Sequence, residues 1–406
     1  MGDNMSYFTT KDPAECCGCG ACFQVCPKRC ISMQPDEKGF LYPVIDQTEC
    51  IHCHLCEKVC PEDPEIRPKG DGQPELYGAV HRDEQVLMQS ASGAAFPAIV
   101  EAFCDEDTAV FGAQYDEGMK VCHSFVIGKG KIGKFKKSKY VQSDTGETFR
   151  QAKEFLEQGK KVLFTGTPCQ ISGLKAFLRK EYENLLTVDL ICHGVASPAL
   201  LADYLALMEE KYHQKVTGVD MRTKKKVRGY WSYLNLSTAL EDGTVRYDLF
   251  SKAFLGIYLK NLGYRDSCFS CPFYQIPRVS DFTIGDLWGA EKFVPELTDG
   301  RGISLILANS DKGKRLLPQL EQVMVLKPVS LDNAVKQNPN LVRATIRKPE
   351  EDAFWEMRRS QPAEQVLRQY GLPPRSVRIK QAIRGTVSML IPKQIKMFIK
   401  KKILKR

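Results

Sequence analysis

No run of apolar residues in this 406-residue chain is long enough to cross a bilayer. The opening residues 1–7 are polar, which predicts no secretory signal. Asp and Glu are missing from residues 375–406, where eleven Lys and Arg fall, and the rest of the chain carries −2. The net charge of +9 is therefore a local basic tail, not a nucleic-acid surface spread over the fold. Nor are aromatic residues interleaved with basic ones as a single-strand platform requires. These absences exclude a membrane-spanning protein and a nucleic-acid partner. They leave an ordinary 43% hydrophobic content and a length fit for two or three domains.

What the chain has in excess is cysteine, sixteen in all. Without a secretory signal this argues for metal ligation in a reducing compartment, the cytoplasm. Eight of them form two copies of one pattern: Cys16, Cys19, Cys22 and Cys26 before Pro27, and Cys50, Cys53, Cys56 and Cys60 before Pro61. Both read Cys-x2-Cys-x2-Cys-x3-Cys-Pro, the ligand run of a two-cluster bacterial ferredoxin. Three thiolates on a tight loop reach one 4Fe–4S cube, and the fourth, a helical turn later, reaches the partner cluster. One cluster is expected on Cys16, Cys19, Cys22 and Cys60, the other on Cys50, Cys53, Cys56 and Cys26. Zinc favours isolated ligand pairs, and a disulfide scaffold belongs to secreted chains; neither fits the runs as well. Cys17 and Cys30 read as bystanders.

Residues 1–66 read as an α+β, ferredoxin-like two-cluster domain. Its apolar stretches 31–33 and 40–45 flank a polar turn at Asp36-Glu37-Lys38-Gly39, which predicts a hairpin. Residues 67–75 are Gly-, Pro- and charge-rich and read as a linker. From 76 to 330 strands and helices alternate, which predicts an α/β domain with a mixed sheet. Strands are expected at 77–81, 109–113, 120–126, 161–165, 186–191 and 303–308, and helices at 93–104, 148–158, 168–178 and 198–212. A further hairpin is expected from 230–236 and 244–247. Residues 331–406 read as a helical, basic C-terminal region. In its tail, Ile391, Ile395, Phe398 and Ile399 stand at helical spacing among lysines, the composition of an interfacial helix on anionic lipid or of a basic helix packing on its own protein.

A second set of cysteines lies in the α/β part. Cys169 follows a buried strand in Gly166-Thr167-Pro168-Cys169-Gln170, where Thr167 is a fit N-cap, Pro168 a fit first helical residue, and Gln170 closes a capping box. Cys192 ends another strand, and Cys268 and Cys271 form a pair before Pro272. Carboxyl ends of parallel strands converge on one edge, where ligands bind. Four cysteines suffice for a third 4Fe–4S cluster; the alternative is two buried hydrophobes and a redox pair. The string Gly128-x-Gly130-x-x-Gly133 lacks the helix that a dinucleotide loop must open. Ser90-Ala91-Ser92-Gly93, leading into a helix, is the better phosphate candidate, and the basic Lys136–Lys139 run beside Tyr140 is another.

With these segments in view, the chain resembles the coenzyme F420 hydrogenase/dehydrogenase beta-subunit family over residues 1–330. The resemblance rests on the ferredoxin runs, Ser90–Gly93, Ser138-Lys139-Tyr140-Val141-Gln142-Ser143, Gly166–Gln170, residues 188–194, Cys268–Pro272 and residues 278–289. It implies an iron–sulfur flavoprotein oxidoreductase with FAD held by Ser90, Ser92, Gly93, Ser138, Lys139, Tyr140, Gly166, Thr167, Pro168 and Gln170. It also implies a third cluster, on Cys169, Cys192, Cys268 and Cys271, close to the flavin. The ferredoxin unit in front and the basic tail behind look more like the bacterial members that accompany surface-polysaccharide genes. The implied substrate is thus coenzyme F420-like or an intermediate of a cell-surface polysaccharide pathway. Substrate-side candidates are Lys139, His193, Arg222, Asp281 and Asp286, of which Asp286 follows an apolar strand at a strand end. The expected partner is a ferredoxin-like electron carrier or a small redox molecule, with peripheral membrane contact through the tail. The alternative function is a non-catalytic electron-transfer subunit whose partner does the chemistry.

Overall fold

The computed structural model describes residues 7–70, 72–227, 230–232, 235–374 and 376. The tail expected to be an interfacial helix lies outside the described residues. No helix among the described residues is long and apolar enough to cross a membrane.

Strands β1 (Ile31–Pro35) and β2 (Leu41–Ile45) pair antiparallel. Their turn is closed by Asp36 Oδ1, which accepts from the backbone N–H groups of Lys38 and Phe40. The first cysteine run continues into the helix Ala21–Val25 and the second into the 3-10 turn Glu57–Val59. This unit does not stand apart. Phe40 and Tyr42 leave the hairpin for a core shared with Leu200, Tyr204, Phe254 and Phe354. The segment after the second run is tied back as well, with Arg67 donating to the carbonyls of Pro61 and Glu62.

The strands β3 (Glu75–His81), β4 (Ala109–Tyr115), β5 (Val121–Ile127), β6 (Val162–Thr165) and β7 (Leu185–Leu190) follow in the chain. A detour then forms two small antiparallel sheets from β8 (Val216–Asp220), β9 (Lys225–Val227), β10 (Tyr230–Ser232), β11 (Ser237–Leu240) and β12 (Val245–Arg246). The chain returns through β13 (Phe282–Asp286), β14 (Ser304–Ala308) and β15 (Met324–Pro328). The main sheet has the order β15-β3-β14-β13-β7-β6-β4-β5. Its centre, β13-β7-β6-β4, is parallel, and every other pairing is antiparallel. The sheet is mixed, as its sequence pattern implies.

Side chains alternate across such a sheet. Phe111 and Phe164 face the helices Thr148–Glu157 and Pro168–Leu178, while Val110 and Leu163 face the helix Ala95–Phe103. Burial on both faces explains the near-continuous apolar runs of β4, β6 and β7. The parallel strands β6, β7 and β13 all end at one edge, which places Gly166–Gln170, Cys192–Gly194 and Asp286 together.

One hairpin differs from expectation. The strand expected at 230–236 is broken: β10 pairs with β9, and it is β11 that pairs with β12. Residues 233 and 234 of that expected strand lie outside the described residues, and beyond them Asn235 Nδ2 donates to the carbonyls of Thr223 and Ser232. Strand β15 and the helix Leu249–Leu259, which buries residues all round, have no amphipathic signature to reveal them.

Gly39, at φ 82°, sets the hairpin against the rest of the chain, and a Cβ there would lie 2.7 Å from the Ala199 nitrogen. Gly39→Ala meets both a left-handed backbone and that contact. It is expected to lower stability by about 1–3 kcal/mol, measured as a lower urea midpoint under anaerobic conditions.

Candidate functional site

The cysteines gather around three cavities. Cys26, Cys50, Cys53 and Cys56 line one, with Cys30 beside them; Cys30 Sγ is 3.4 Å from Cys26 Sγ. Cys16, Cys19, Cys22 and Cys60 line the second. Cys169, Cys192, Cys268 and Cys271 line the third. The crossing of the two N-terminal runs, with each fourth cysteine joining the other loop, is the arrangement their spacing predicts. Among the described residues no three His, Cys, Asp or Glu side chains close in on a single metal-ion position; the thiols stand around cavities instead. The two loops also share their backbone. Gly18 and Gly20 are left-handed, and so are His52 and His54 at the matching positions of the second run.

Burial, reinforced by the neighbouring thiols, pushes Cys60 and Cys271 up and Cys192 up to about 12. Burial thus keeps these thiols protonated in the bare protein, and a cationic centre would take them as thiolates. Arg278, 4% exposed, lines the third cavity. Its Nη1 donates to Phe273 O, while Nε and Nη2 have no hydrogen-bond partner. Four thiols and a buried guanidinium with free donors fit an anionic, thiolate-ligated cluster.

The third ring opens onto a cavity of about 300 Å³ at the sheet's carboxyl edge. Thr167, Gln170, Cys192, His193, Gly194 and Val195 line both. Thr167 caps the helix Pro168–Leu178 in a capping box with Gln170, as the sequence predicts. Gln170 then reaches across to donate to Ser143 Oγ and Ser143 O. Ser143 Oγ in turn bonds His123 Nδ1 at 2.9 Å, and His123 Nε2 lies 2.9 Å from Thr165 O. A carbonyl only accepts, so Nε2 carries the proton, and burial pushes the imidazole down to about 4. His123 is neutral and fixed. Its functional position was hidden in the sequence by a strand alternation typical of any core residue.

Comparisons with known proteins match two segments of the chain. Residues 159–333 match the model for the C-terminal part of the coenzyme F420 hydrogenase/dehydrogenase beta subunit, and residues 15–63 match a 4Fe-4S dicluster domain. Residues 159–333, rather less than half of the chain, are thus similar to that part of the beta subunit. A chain in the F420-reducing [NiFe] hydrogenase complex from Methanosarcina barkeri is similar over 71% of this chain and 98% of its own length, at 17% identity and a TM-score of 0.42. A search of curated proteins found no match. The chain is an oxidoreductase-type, iron–sulfur electron-transfer protein.

The 300 Å³ cavity is lined by Ser90, Ser92, Ser138, Lys139, Tyr140, Gly166, Thr167, Gln170, His193 and Asp286. Two expected cofactor residues do not line it. Gly93 is packed behind the wall: a Cβ there would lie 2.0 Å from Ala79 O and 2.5 Å from Ser304 N, so this glycine allows strands and helix to meet. Pro168 lines the third cysteine cavity instead, as the first residue of its helix. Neither Gly128, Gly130 nor Gly133 lines the 300 Å³ cavity.

The substrate-side candidates separate. Asp281 sits just before the amino end of β13, away from the cavity, and its Oδ2 accepts from Thr187 N–H and Oγ1 while Oδ1 accepts from Ser310. It is structural. Asp286 lines the cavity but is held bidentately by Arg222 at 2.8 and 3.0 Å. Arg222 also donates to Tyr140 Oη and to Ala91 O, so this pair ties three cavity walls together. Asp286 therefore positions the wall. His193, its imidazole pushed down by burial, stands between the third ring and the cavity. Lys139 Nζ donates to Lys136 O at 3.2 Å.

Lys139 opens onto the cavity and is otherwise enclosed, and burial pushes its ammonium down to about 8. Below that pH the folded and unfolded chains both hold the proton. Between pH 8 and the ordinary lysine value of 10.5, only the unfolded chain does, so stability contributed by this residue rises with pH there. Lys139→Met is expected to be the more stable protein at pH 7, with the gap in urea midpoint closing between pH 8 and 10. A gap that stays constant over that range would remove burial as the cause.

Proposed function

We propose that this protein is an iron–sulfur flavoprotein oxidoreductase. It would hold two 4Fe–4S clusters on the N-terminal runs, a third on Cys169, Cys192, Cys268 and Cys271, and FAD in the 300 Å³ cavity. The observation that carries this reading is continuity. Cys17 and Glu62 line both the second and third cysteine cavities, and six residues from Thr167 to Val195 line both the third and the large one. When bound, clusters supply one-electron steps and a flavin converts them to hydride exchange with an organic substrate, coenzyme F420-like or an intermediate of a cell-surface polysaccharide pathway.

The residues of the cavity suit a flavin nucleotide. The helix Ala95–Phe103 starts at the wall, with Ala94 at φ 69°, and its free N–H groups favour phosphate. Ser92 Oγ is buried without a partner and is available to such a ligand. Tyr140 stacks on Tyr258 at 4.4 Å and covers the cavity side with apolar surface that keeps water out. Lys139 Nζ, near neutrality in its proton affinity, can hold or give a proton inside the cavity, and the neutral His193 imidazole offers a second such group.

The first cysteine cavity lies at the surface, with Cys53 exposed and Ile51 56% exposed. It is the proposed docking point of a ferredoxin-like electron carrier. A reducing, cytoplasmic setting is proposed, since twelve of the sixteen cysteines are assigned to clusters and none is paired in a disulfide. An anionic membrane surface is the proposed contact of the basic tail, read from its sequence alone. The family's description as a beta subunit favours a second reading, in which a partner protein does the chemistry.

Iron, acid-labile sulfide and flavin per chain decide between these compositions. Three clusters predict about twelve irons, falling to about eight in Cys169→Ser, with the flavin retained. A variant that loses no iron would remove the third cluster. Turnover of the bound flavin by the isolated chain with a small reductant is expected of the enzyme; an inert, fully loaded chain would favour the subunit.

A further inference from the structure

Arg265 is the largest fully buried side chain, at 0% exposure. None of its hydrogen-bond acceptors among the described residues is a carboxylate. Nε donates to Cys16 O at 2.7 Å, Nη1 to Gln142 Oε1 at 2.8 Å, and Nη2 to Leu41 O at 3.0 Å. Its guanidinium lies over the Tyr42 ring at 4.1 Å. Gly18 makes room for it, since a Cβ there would sit 2.8 Å from Nη1. A buried cation held only by neutral groups costs several kcal/mol unless an anion lies near. Glu62 and Asp36 feel its field but do not hydrogen-bond it. Hydrogen bonds place it between two cysteine rings: Nε holds the Cys16 carbonyl of the Cys16/Cys19/Cys22/Cys60 ring, its own carbonyl accepts from Cys268 N–H at 3.0 Å, and Gln142, which takes Nη1, lines the cavity of the Cys169/Cys192/Cys268/Cys271 ring.

We infer that Arg265 is the shared counter-charge of these two rings, and that it sets how readily the groups they hold accept an electron. The inference rests on the cluster sites proposed above. Each one-electron reduction adds a negative charge at the ring, and a fixed cation in a low-dielectric setting favours that added charge. One guanidinium tied to both rings raises both potentials together. The ring of Cys26, Cys50, Cys53 and Cys56 lies toward solvent, where water screens the same charge. Arg265 is thus a positioning residue for electrons, through charge, as well as a tie between segments.

The test is an anaerobic, EPR-monitored redox titration of the full chain, with signals assigned by Cys53→Ser and Cys169→Ser proteins. Arg265→Gln is expected to make reduction at both inner rings at least tenfold less favourable, a shift of about 59 mV downward for a one-electron couple. The outer ring should stay in place as an internal reference. Arg265→Lys, which keeps the charge but not the fork, should stay near wild type. Unmoved inner potentials in Arg265→Gln, or equal shifts at all three rings, would overturn the inference. If Arg265→Gln loses iron, the lysine variant decides: iron and potentials retained support the charge, and iron lost again leaves only the fork. The wild-type iron count stands apart. About eight irons would sink the third-cluster reading and with it the sharing, while the shift at the Cys16/Cys19/Cys22/Cys60 ring would still report on Arg265 there.

Discussion

Three carbonyls of the first cysteine loop are held by side chains from the rest of the chain. Arg265 donates to Cys16 O, Gln142 to Cys17 O and Thr145 to Cys19 O. Each bond contributes about 1 kcal/mol, and leaving a buried carbonyl unpaired would cost about 1–3 kcal/mol. Together they fix the loop's path, and so the direction of its thiols, against the α/β sheet. Residues 142–145 continue directly from Ser138–Val141, which wall the large cavity. One segment therefore touches the first ring at one end and the cavity at the other. The spacing of the cysteine rings and the cavity follows from that clamp, not from a flexible hinge between two units.

The same clamp explains a difference between two repeats that otherwise match. Gly18 and Gly20 correspond to His52 and His54, and all four are left-handed. At the first loop the body presses so closely that a side chain has no room, with Gln142 Nε2 2.7 Å from a Cβ at Gly18. The second loop faces solvent, and histidine can occupy the same backbone at about 1–2 kcal/mol each. Glycine against histidine at equal positions of the repeat thus marks the inner and the outer ring.

What could be read from the sequence was local. Ligand spacing fixes the ring crossing because three cysteines on one tight loop share a centre. The Thr167-Pro168-Cys169-Gln170 corner is legible because capping chemistry acts within a few residues. The strand at 121–127 announces itself by its alternation, and that at 109–115 by a short apolar run. Partners distant in sequence were illegible. Nothing near Asp286 points to Arg222, 64 residues away, and nothing near Arg265 points to Cys16. Asp281 resembled Asp286 in its setting, yet one lies before the strand and the other at its carboxyl end, and only the latter meets the cavity. His123 looked like any inward strand residue. Nothing near Asn235 points to Thr223, whose carbonyl its side chain reaches.

The three buried guanidiniums show where the chain spends charge. Arg222 is fully answered by Asp286, so it organises walls and offers little to a ligand's charge. Arg278 meets Asp189 only at 3.9 Å and keeps two nitrogens free beside the third ring. Arg265 has neutral acceptors and lies between two cysteine rings. Guanidinium nitrogens not taken by a carboxylate therefore lie near the inner rings, where electron density would be stored. A purely conducting protein needs that much and no more. It has no use for a 300 Å³ cavity walled by a lysine near pKa 8, a neutral histidine and an orphaned serine hydroxyl. Such protonatable walls are costly to enclose and would suit the proton transfer that accompanies the proposed two-electron exchange, not a one-electron relay. That asymmetry of chemistry across one continuous path is the strongest physical argument for an enzyme.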